Sequence, residues 1–295
     1  MTKTVTLAIS QLVHHSRNDV PITLPVQEKT EPGPLPPIAY SRSPESRQGE
    51  TGKAPLGVLV LHGFTSDIHC VDPLVKPLDE EDLPYRLPIL RGHGTRYEDM
   101  EGTSDRDWYE DAENALLDLS REVEKVVVVG LSMGGLVTLE LAARHRDKVA
   151  GVVTVAAALR FADPLAGLMP VLSRFIRFLP SPNSYNDLEL KKKENRNYPK
   201  FSTRAFRHLW RYSREITKLL PSVDAPILIL QSHKDEVVTP HSAQMIHDKV
   251  SSTDRDLMWF ETSGHEMFLD SERDAVVEAV MAFIRRIRAS ASGGP

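Results

Sequence analysis

Cysteine occurs once in the 295 residues, as Cys70. No internal disulfide can form, a thiolate metal site has too few ligands, and the usage fits a reducing compartment. No apolar run approaches the roughly 20 residues that cross a bilayer as a helix. The first ten residues hold too short an apolar core for a signal peptide, so a cytoplasmic location is expected. The histidines lack HxxxH or HxH spacing with carboxylates, and His14-His15 falls in an irregular stretch; no metal site is expected. GxGxxG and Walker-type loops are missing too, so no cofactor is implied. A net charge of −5 gives no reason to expect a nucleic-acid partner. With 41% hydrophobic and 26% charged residues, the composition is that of an ordinary globular protein of one large domain, or one domain with an insertion.

What is present is unevenly distributed. Eight of the 21 prolines fall within residues 1–55, a density that prevents regular helix. That stretch is expected to be an irregular extension with an edge strand at 37–41. From Gly57 the pattern becomes regular. Residues 57–62, 85–90, 125–129, 149–155, 226–231 and 256–260 read as strands. Helical patterns lie at 72–82, from a Ser104 cap to about 122, after residue 135, and at about 240–250 and 271–288. Strands alternating with helices imply an α/β fold, with a mostly parallel sheet covered on both faces. The alternation breaks between Leu159 and Pro221, which has no strand-like run and reads as a helical cap over the strand ends, inserted between core segments 56–158 and 222–289. The cap holds thirteen Lys and Arg against five Asp and Glu, about +8, which leaves about −13 for the remainder of a chain whose net charge is −5. Two readings of that charge stay open. One is a solvated helical face; the other is a basic surface that makes weak contact with anionic lipid or attracts a fatty-acid product.

The most informative segment is Gly130-Leu131-Ser132-Met133-Gly134-Gly135. A run of valines precedes it and a helical pattern follows. A serine at such a strand-to-helix corner, with glycine two places before and two after, has the form of a nucleophile elbow. The turn is too tight for side chains at the flanking positions. Its geometry leaves the hydroxyl exposed and aims the Met133 N–H at any oxyanion that forms.

A serine nucleophile needs a base, and the base an orienting carboxylate. Asp235 follows the strand ending at Gln231, and His265 follows the strand ending at Phe260. Both therefore sit at the carboxyl ends of their strands, the same sheet edge as Ser132. Glu236 competes for the role of acid, and His233 and His241 for that of base. A second oxyanion donor is expected after the first central strand, at His62-Gly63-Phe64-Thr65, where Gly63 lets the backbone turn and the Phe64 N–H can face the site. His62 and His93 read as loop braces, and Cys70 as a small buried apolar residue.

Several of these segments resemble the α/β-hydrolases, and within them the bacterial monoacylglycerol lipases and small carboxylesterases of Bacillus. The resemblance is carried by 60–65, by Arg91-Gly92-His93-Gly94-Thr95-Arg96-Tyr97-Glu98-Asp99-Met100-Glu101 with Asp107-Trp108, by the Ser132 elbow and by Asp235 in its Asp-Glu-Val-Val-Thr-Pro setting. It spans residues 56–288, most weakly in the cap. It implies Ser132 as nucleophile, Asp235 and His265 as partners, and Phe64 and Met133 as oxyanion donors. It also implies an apolar acyl tunnel in the cap and a glycerol contact from a cap glutamate, for which Glu189 and Glu194 are candidates. The expected activity is that of a serine carboxylic-ester hydrolase on monoacylglycerols or other medium-chain acyl esters, with a small-molecule ester as partner. The alternatives are a short-chain carboxylesterase, a thioesterase or another acyl hydrolase on the same residues, and more remotely a non-catalytic ligand binder.

Overall fold

Successive residues of the central strands enter two different cores. Val126 and Val128 pack with Leu59, Leu61, Val152, Ile227 and Ile229 on one face of a sheet. Val127 and Val129 pack with Val58, Val60, Val153, Leu228 and Leu230 on the other. This is the period of two of a strand buried on both sides, and it explains why these strands read as unbroken apolar runs.

A computed structural model describes residues 38–44 and 52–292. Its strands are β1 (Ile38–Arg42), β2 (Ala54–Leu61), β3 (Tyr85–Pro88), β4 (Val123–Leu131), β5 (Val149–Val155), β6 (Phe178–Pro180), β7 (Lys200–Ser202), β8 (Ile227–Ser232) and β9 (Arg255–Phe260). Its α-helices are α1 (Val75–Glu80), α2 (Asp105–Leu119), α3 (Met133–Arg144), α4 (Met169–Leu172), α5 (Leu188–Glu194), α6 (Thr203–Leu219), α7 (His241–Lys249) and α8 (Arg273–Ser292). Seven strands form one sheet in the order β1-β3-β2-β4-β5-β8-β9. All neighbours pair in parallel except the β1 edge, which is antiparallel to β3. The α/β architecture read from the sequence is the one observed. Residues 1–37 and 45–51 of the Pro-rich extension lie outside the described residues, and β1 occupies the expected edge position.

Helices α2, α3, α6 and α7 cover one face of the sheet, through residues such as Trp108, Leu136, Leu209 and Ile246. Helices α1 and α8 cover the other, through Leu78, Val280 and Phe283. Helix α2 starts where expected: Asp107 reaches back to accept from the Ser104 N–H at 2.9 Å and the Ser104 hydroxyl at 2.7 Å. Among the described residues, no helix is long and apolar enough to cross a membrane.

Segment 159–221 departs from the strand-free expectation. Strands β6 and β7 pair antiparallel over three residues each, a ladder too short to leave an alternating pattern in the sequence. The long α6 is built into the core. Its Leu209, Tyr212 and Ile216 belong to the same apolar cluster as α3, and the Tyr212 hydroxyl donates to Glu140 of α3 at 2.6 Å.

Candidate active site

The corner between β4 and α3 fixes Ser132. Its backbone sits at φ 55° and ψ −112°, a left-handed conformation that costs a non-glycine residue on the order of 1–3 kcal/mol. Neighbouring backbone holds it there. The Ser132 N–H donates to the Val155 carbonyl at 2.9 Å, and the Ser132 carbonyl accepts from Gly135 and Ala158, each at 3.1 Å. The first turn of α3 presses so closely on the end of β2 that a Cβ at Gly134 would lie 2.4 Å from the Leu61 carbonyl oxygen. Only glycine fits there.

Asp235 and His265 stand on the loops after β8 and β9. One Asp235 oxygen, Oδ1, accepts from the Val237 and Val238 N–H groups at 2.9 and 2.8 Å. That turn leaves Oδ2 facing His265 Nδ1 at 2.8 Å, with Gln231 Nε2 also donating to it at 3.0 Å. His265 Nε2 lies 2.9 Å from Ser132 Oγ. Because Nδ1–H donates to the carboxylate, the Nε2 lone pair faces the serine hydroxyl. Ser132, Asp235 and His265 are 7, 6 and 6% exposed, so these contacts lie away from bulk water. Burial by itself disfavours charge on His265. The Asp235 carboxylate, by charge and by hydrogen bond, outweighs burial and raises the imidazole pKa.

The histidine loop has supports that the sequence reading missed. The fully buried Asp270 carboxylate accepts from the N–H groups of Gly264 and Asn186, both at 2.6 Å, and of Asp187 at 3.1 Å. Glu272 accepts from Thr262 and Ser263 N–H, each at 2.8 Å. Their signal was present: Asp270-Ser271-Glu272 immediately precedes α8, where acidic residues satisfy unpaired backbone donors. Gly264 is also required, since a Cβ there would lie 2.7 Å from the Ser184 carbonyl and the Asn186 nitrogen.

Of the two expected donors, Met133 follows the serine in the chain and Phe64 borders the same cavity as Ser132. Met133 is the first residue of α3, so its N–H has no intrahelical acceptor. The Gly63-Phe64 segment passes close by: a Cβ on Gly63 would stand 3.4 Å from Ser132 Cβ. His62 is buried and its pKa is lowered by that burial. As a neutral ring it donates from Nδ1 to the Gly63 carbonyl at 2.9 Å and accepts at Nε2 from the Leu90 N–H at 3.0 Å. The Gly63 carbonyl and the Phe64 N–H share one peptide plane, so this contact fixes the direction of that N–H. His93 is likewise buried. Its Nδ1 lies 3.2 and 3.1 Å from the Leu90 and Arg91 carbonyls, and burial brings its pKa down to about 3.

The other candidates lie elsewhere. Glu236 and His241 are exposed. His233 stacks on Trp259 at 4.5 Å. Cys70 is buried, its Sγ donating to the Asp67 carbonyl at 3.2 Å, and burial pushes its thiol pKa up. Glu189 pairs with Lys192 at 2.7 Å and is 83% exposed. Glu194 stands beside His69 and Arg273. Neither glutamate lines the cavity at Ser132.

That cavity measures about 60 Å³ and is bordered by Ser132 and His265. Its lining divides into two connected groups. Phe64, Phe161, Phe201 and Phe206 form a ring cluster with centroid separations of 4.9 to 6.2 Å. Ser184, Asn197 and Glu266 form a polar group, with Asn197 Nδ2 2.6 Å from Glu266 and 3.3 Å from Ser184. A hydroxyl paired with imidazole and carboxylate, with two backbone donors nearby, can attack a carbonyl carbon and hold the resulting oxyanion.

Residues 53–272 match the family Hydrolase_4, described as "Serine aminopeptidase, S33". The chain belongs to this family. It is 34% identical over 232 residues to a thermostable monoacylglycerol lipase of Bacillus sp. (strain H-257), covering 79% of this chain and 91% of that one. It is 28% identical over 232 residues to a carboxylesterase of Bacillus subtilis (strain 168), covering 78% and 92%. A structure from the work on LipS and LipT, two metagenome-derived lipolytic enzymes, superposes with a TM-score of 0.76 at 29% identity, covering 86% of this chain and all of that one.

The two buried environments in this Hydrolase_4 chain separate its histidines by titration. In imidazole NMR spectra His265 is expected to titrate above the ordinary value of about 6.5, and Asp235→Asn to bring it down. His93 is expected to stay neutral to below pH 4. A His265 value at or below the ordinary one would contradict the carboxylate contact.

Proposed function

We propose that this chain is a serine carboxylic-ester hydrolase that cleaves monoacylglycerols or similar medium-chain acyl esters through an acyl-enzyme. The observation that carries the reading is the unbroken Ser132–His265–Asp235 relay, opening on a cavity with an apolar aromatic group. In this reading His265 takes the Ser132 proton as Oγ attacks the ester carbonyl. The N–H groups of Phe64 and Met133 hold the oxyanion; losing one such donor elsewhere costs on the order of 10²–10³ in rate. His265 then passes the proton to the departing alcohol. A water, activated by the same imidazole, cleaves the acyl-enzyme, and Asp235 keeps the ring in its tautomer throughout.

The monoacylglycerol substrate is supported by the 34% identical lipase. A short-chain carboxylesterase is the second reading, favoured by the carboxylesterase relative and by a cavity of only about 60 Å³. Phe161, Phe201 and Phe206 border that cavity, so the length of acyl chain it admits depends on how these rings pack. Segment 159–221 is part of this proposal as the cap over the site, rooted in the core by α6.

Lipid contact belongs to the same proposal. Leu165, Leu168, Val171 and Phe175 are 52, 50, 55 and 82% exposed within one short stretch of the cap, beside the exposed Arg174 and Arg177. Apolar side chains flanked by arginine suit an anionic bilayer surface. A cytoplasmic site of action completes the proposal, in line with the single cysteine.

A chain-length series of 1-monoacylglycerols from acetyl to lauroyl tests the substrate. Each buried CH₂ contributes about 0.8 kcal/mol, about fourfold in kcat/KM, so values should climb at least tenfold toward medium chains. Turnover confined to acetyl and butyryl esters would leave the carboxylesterase reading. Cosedimentation with phosphatidylglycerol vesicles at low ionic strength tests the lipid contact. Binding should fall with added salt and with Phe175→Glu; no binding at low salt removes it.

A further inference from the structure

Four non-glycine residues among the described ones have a left-handed backbone: Thr65, Asp82, Ser132 and Ala156. Two of them, Thr65 and Ser132, border the same cavity. Ser132 is accounted for by the corner between β4 and α3. Thr65, at φ 68°, is not. A branched Cβ makes that conformation unfavourable, and it persists only where the surroundings impose it. Thr65 directly follows Phe64, one of the two proposed oxyanion donors.

The hold on Thr65 comes from segment 159–221. The Tyr198 N–H donates to the Thr65 carbonyl at 2.8 Å. The Tyr198 hydroxyl accepts from the Thr95 N–H at 2.8 Å. Tyr198 thus links the loop after β2 to the loop after β3, as His62 does by joining the Gly63 carbonyl to the Leu90 N–H. The two links lie on either side of Phe64. His62 fixes the peptide plane before it, and Tyr198 the plane that carries the Thr65 carbonyl. With both planes set, the two residues between them keep little rotational freedom. The Phe64 ring is held as well, by His93 and Trp108 at 5.9 and 5.8 Å and by Phe201 and Phe206 at 6.2 and 6.1 Å. Pro199 biases Tyr198 toward extended backbone, so its N–H is oriented in advance. Tyr198 is not among the residues that border the cavity, so it reaches the reaction only through the loop.

We infer that Tyr198 is a positioning residue. It holds Thr65 in its left-handed conformation and so keeps the Phe64 N–H aimed at the oxyanion, which makes the oxyanion hole complete only while this part of segment 159–221 is seated. The inference rests on the ester-hydrolase reading and on Phe64 as a donor.

The test compares the intact chain with Tyr198→Phe, Tyr198→Ala and Tyr198→Pro on p-nitrophenyl octanoate. Tyr198→Phe removes the link to Thr95 alone. Tyr198→Ala removes ring and hydroxyl but keeps the N–H. Tyr198→Pro removes the N–H too, at a position whose extended backbone suits proline. A hydrogen bond of this kind contributes about fivefold, and a misaligned donor loses part of the order of 10²–10³ that it supplies. Accordingly kcat should fall about fivefold in Tyr198→Phe, and about tenfold further from Tyr198→Ala to Tyr198→Pro, with KM within about twofold throughout. An octyl trifluoromethyl ketone, whose adduct with the serine carries the oxyanion, should lose affinity by the same factor as kcat. In a Thr65→Asn background, where left-handed backbone forms more readily, the step from Ala to Pro at 198 should shrink to about threefold. Should Tyr198→Pro fail to fold, Tyr198→Phe carries the test through kcat and the ketone. Equal kcat in all the chains overturns the inference. A loss carried by KM alone also does, as does a fall in kcat that leaves the ketone's affinity unchanged, or an undiminished step in the Thr65→Asn background. In each of those cases the hydrolase reading stands. If the intact chain does not cleave the ester, that reading falls and the inference with it.

Discussion

The close approach of α3 to the end of β2 is the constraint on which the site depends. With 2.4 Å between a hypothetical Cβ at Gly134 and the Leu61 carbonyl, the helix can begin immediately after the strand. That leaves Ser132 no room for a relaxed backbone. The strain is balanced by three backbone hydrogen bonds to Ser132 and by the double-sided burial of β4, whose Val126 to Leu131 are all inaccessible. A rigid sheet is what makes such a corner sustainable, because interiors packed at crystal-like density do not yield to local strain. The Gly63-Phe64 segment passes the same corner, with a Cβ on Gly63 standing 3.4 Å from Ser132 Cβ. The serine and the loop after β2 are therefore positioned by one packing event.

A second layer of order comes from buried polar groups that orient one another. Asp235 uses one oxygen to shape its own turn and the other to hold His265. Asp270 and Glu272 tie the histidine loop to segment 184–187 and to the start of α8. His62 fixes the peptide that carries the Phe64 N–H. Each is paired in the low-dielectric interior, where a hydrogen bond is electrostatically stronger and an unpaired group more costly than in water.

Much of this was legible in the sequence. Valine runs bounded by glycine marked the central strands, and the change from strand to helix around Ser132 marked the corner. The order of strands and loops placed Asp235 and His265 at the same edge, since loops following parallel strands emerge on one side. Less legible were features set by tertiary contact. The β6–β7 ladder has three residues in each strand and no periodicity to read. What helix α6 packs against was not readable, because amphipathic spacing shows that a face is buried but not against what; Tyr212 and Glu140, 72 residues apart, meet only in three dimensions. The polar wall was missed because a glutamate beside a histidine reads as an exposed loop residue. Its burial depends on Ser184 and Asn197, which the sequence does not place.

The central claim is that Ser132 is the nucleophile, and a fluorophosphonate probe tests it most directly. Mass spectrometry of the labelled, digested protein should find one adduct, on the peptide containing Ser132. Ser132→Ala should remove both the adduct and p-nitrophenyl ester turnover, by a factor on the order of 10⁴–10⁶. An adduct on a different residue, or undiminished turnover in the variant, would contradict the account.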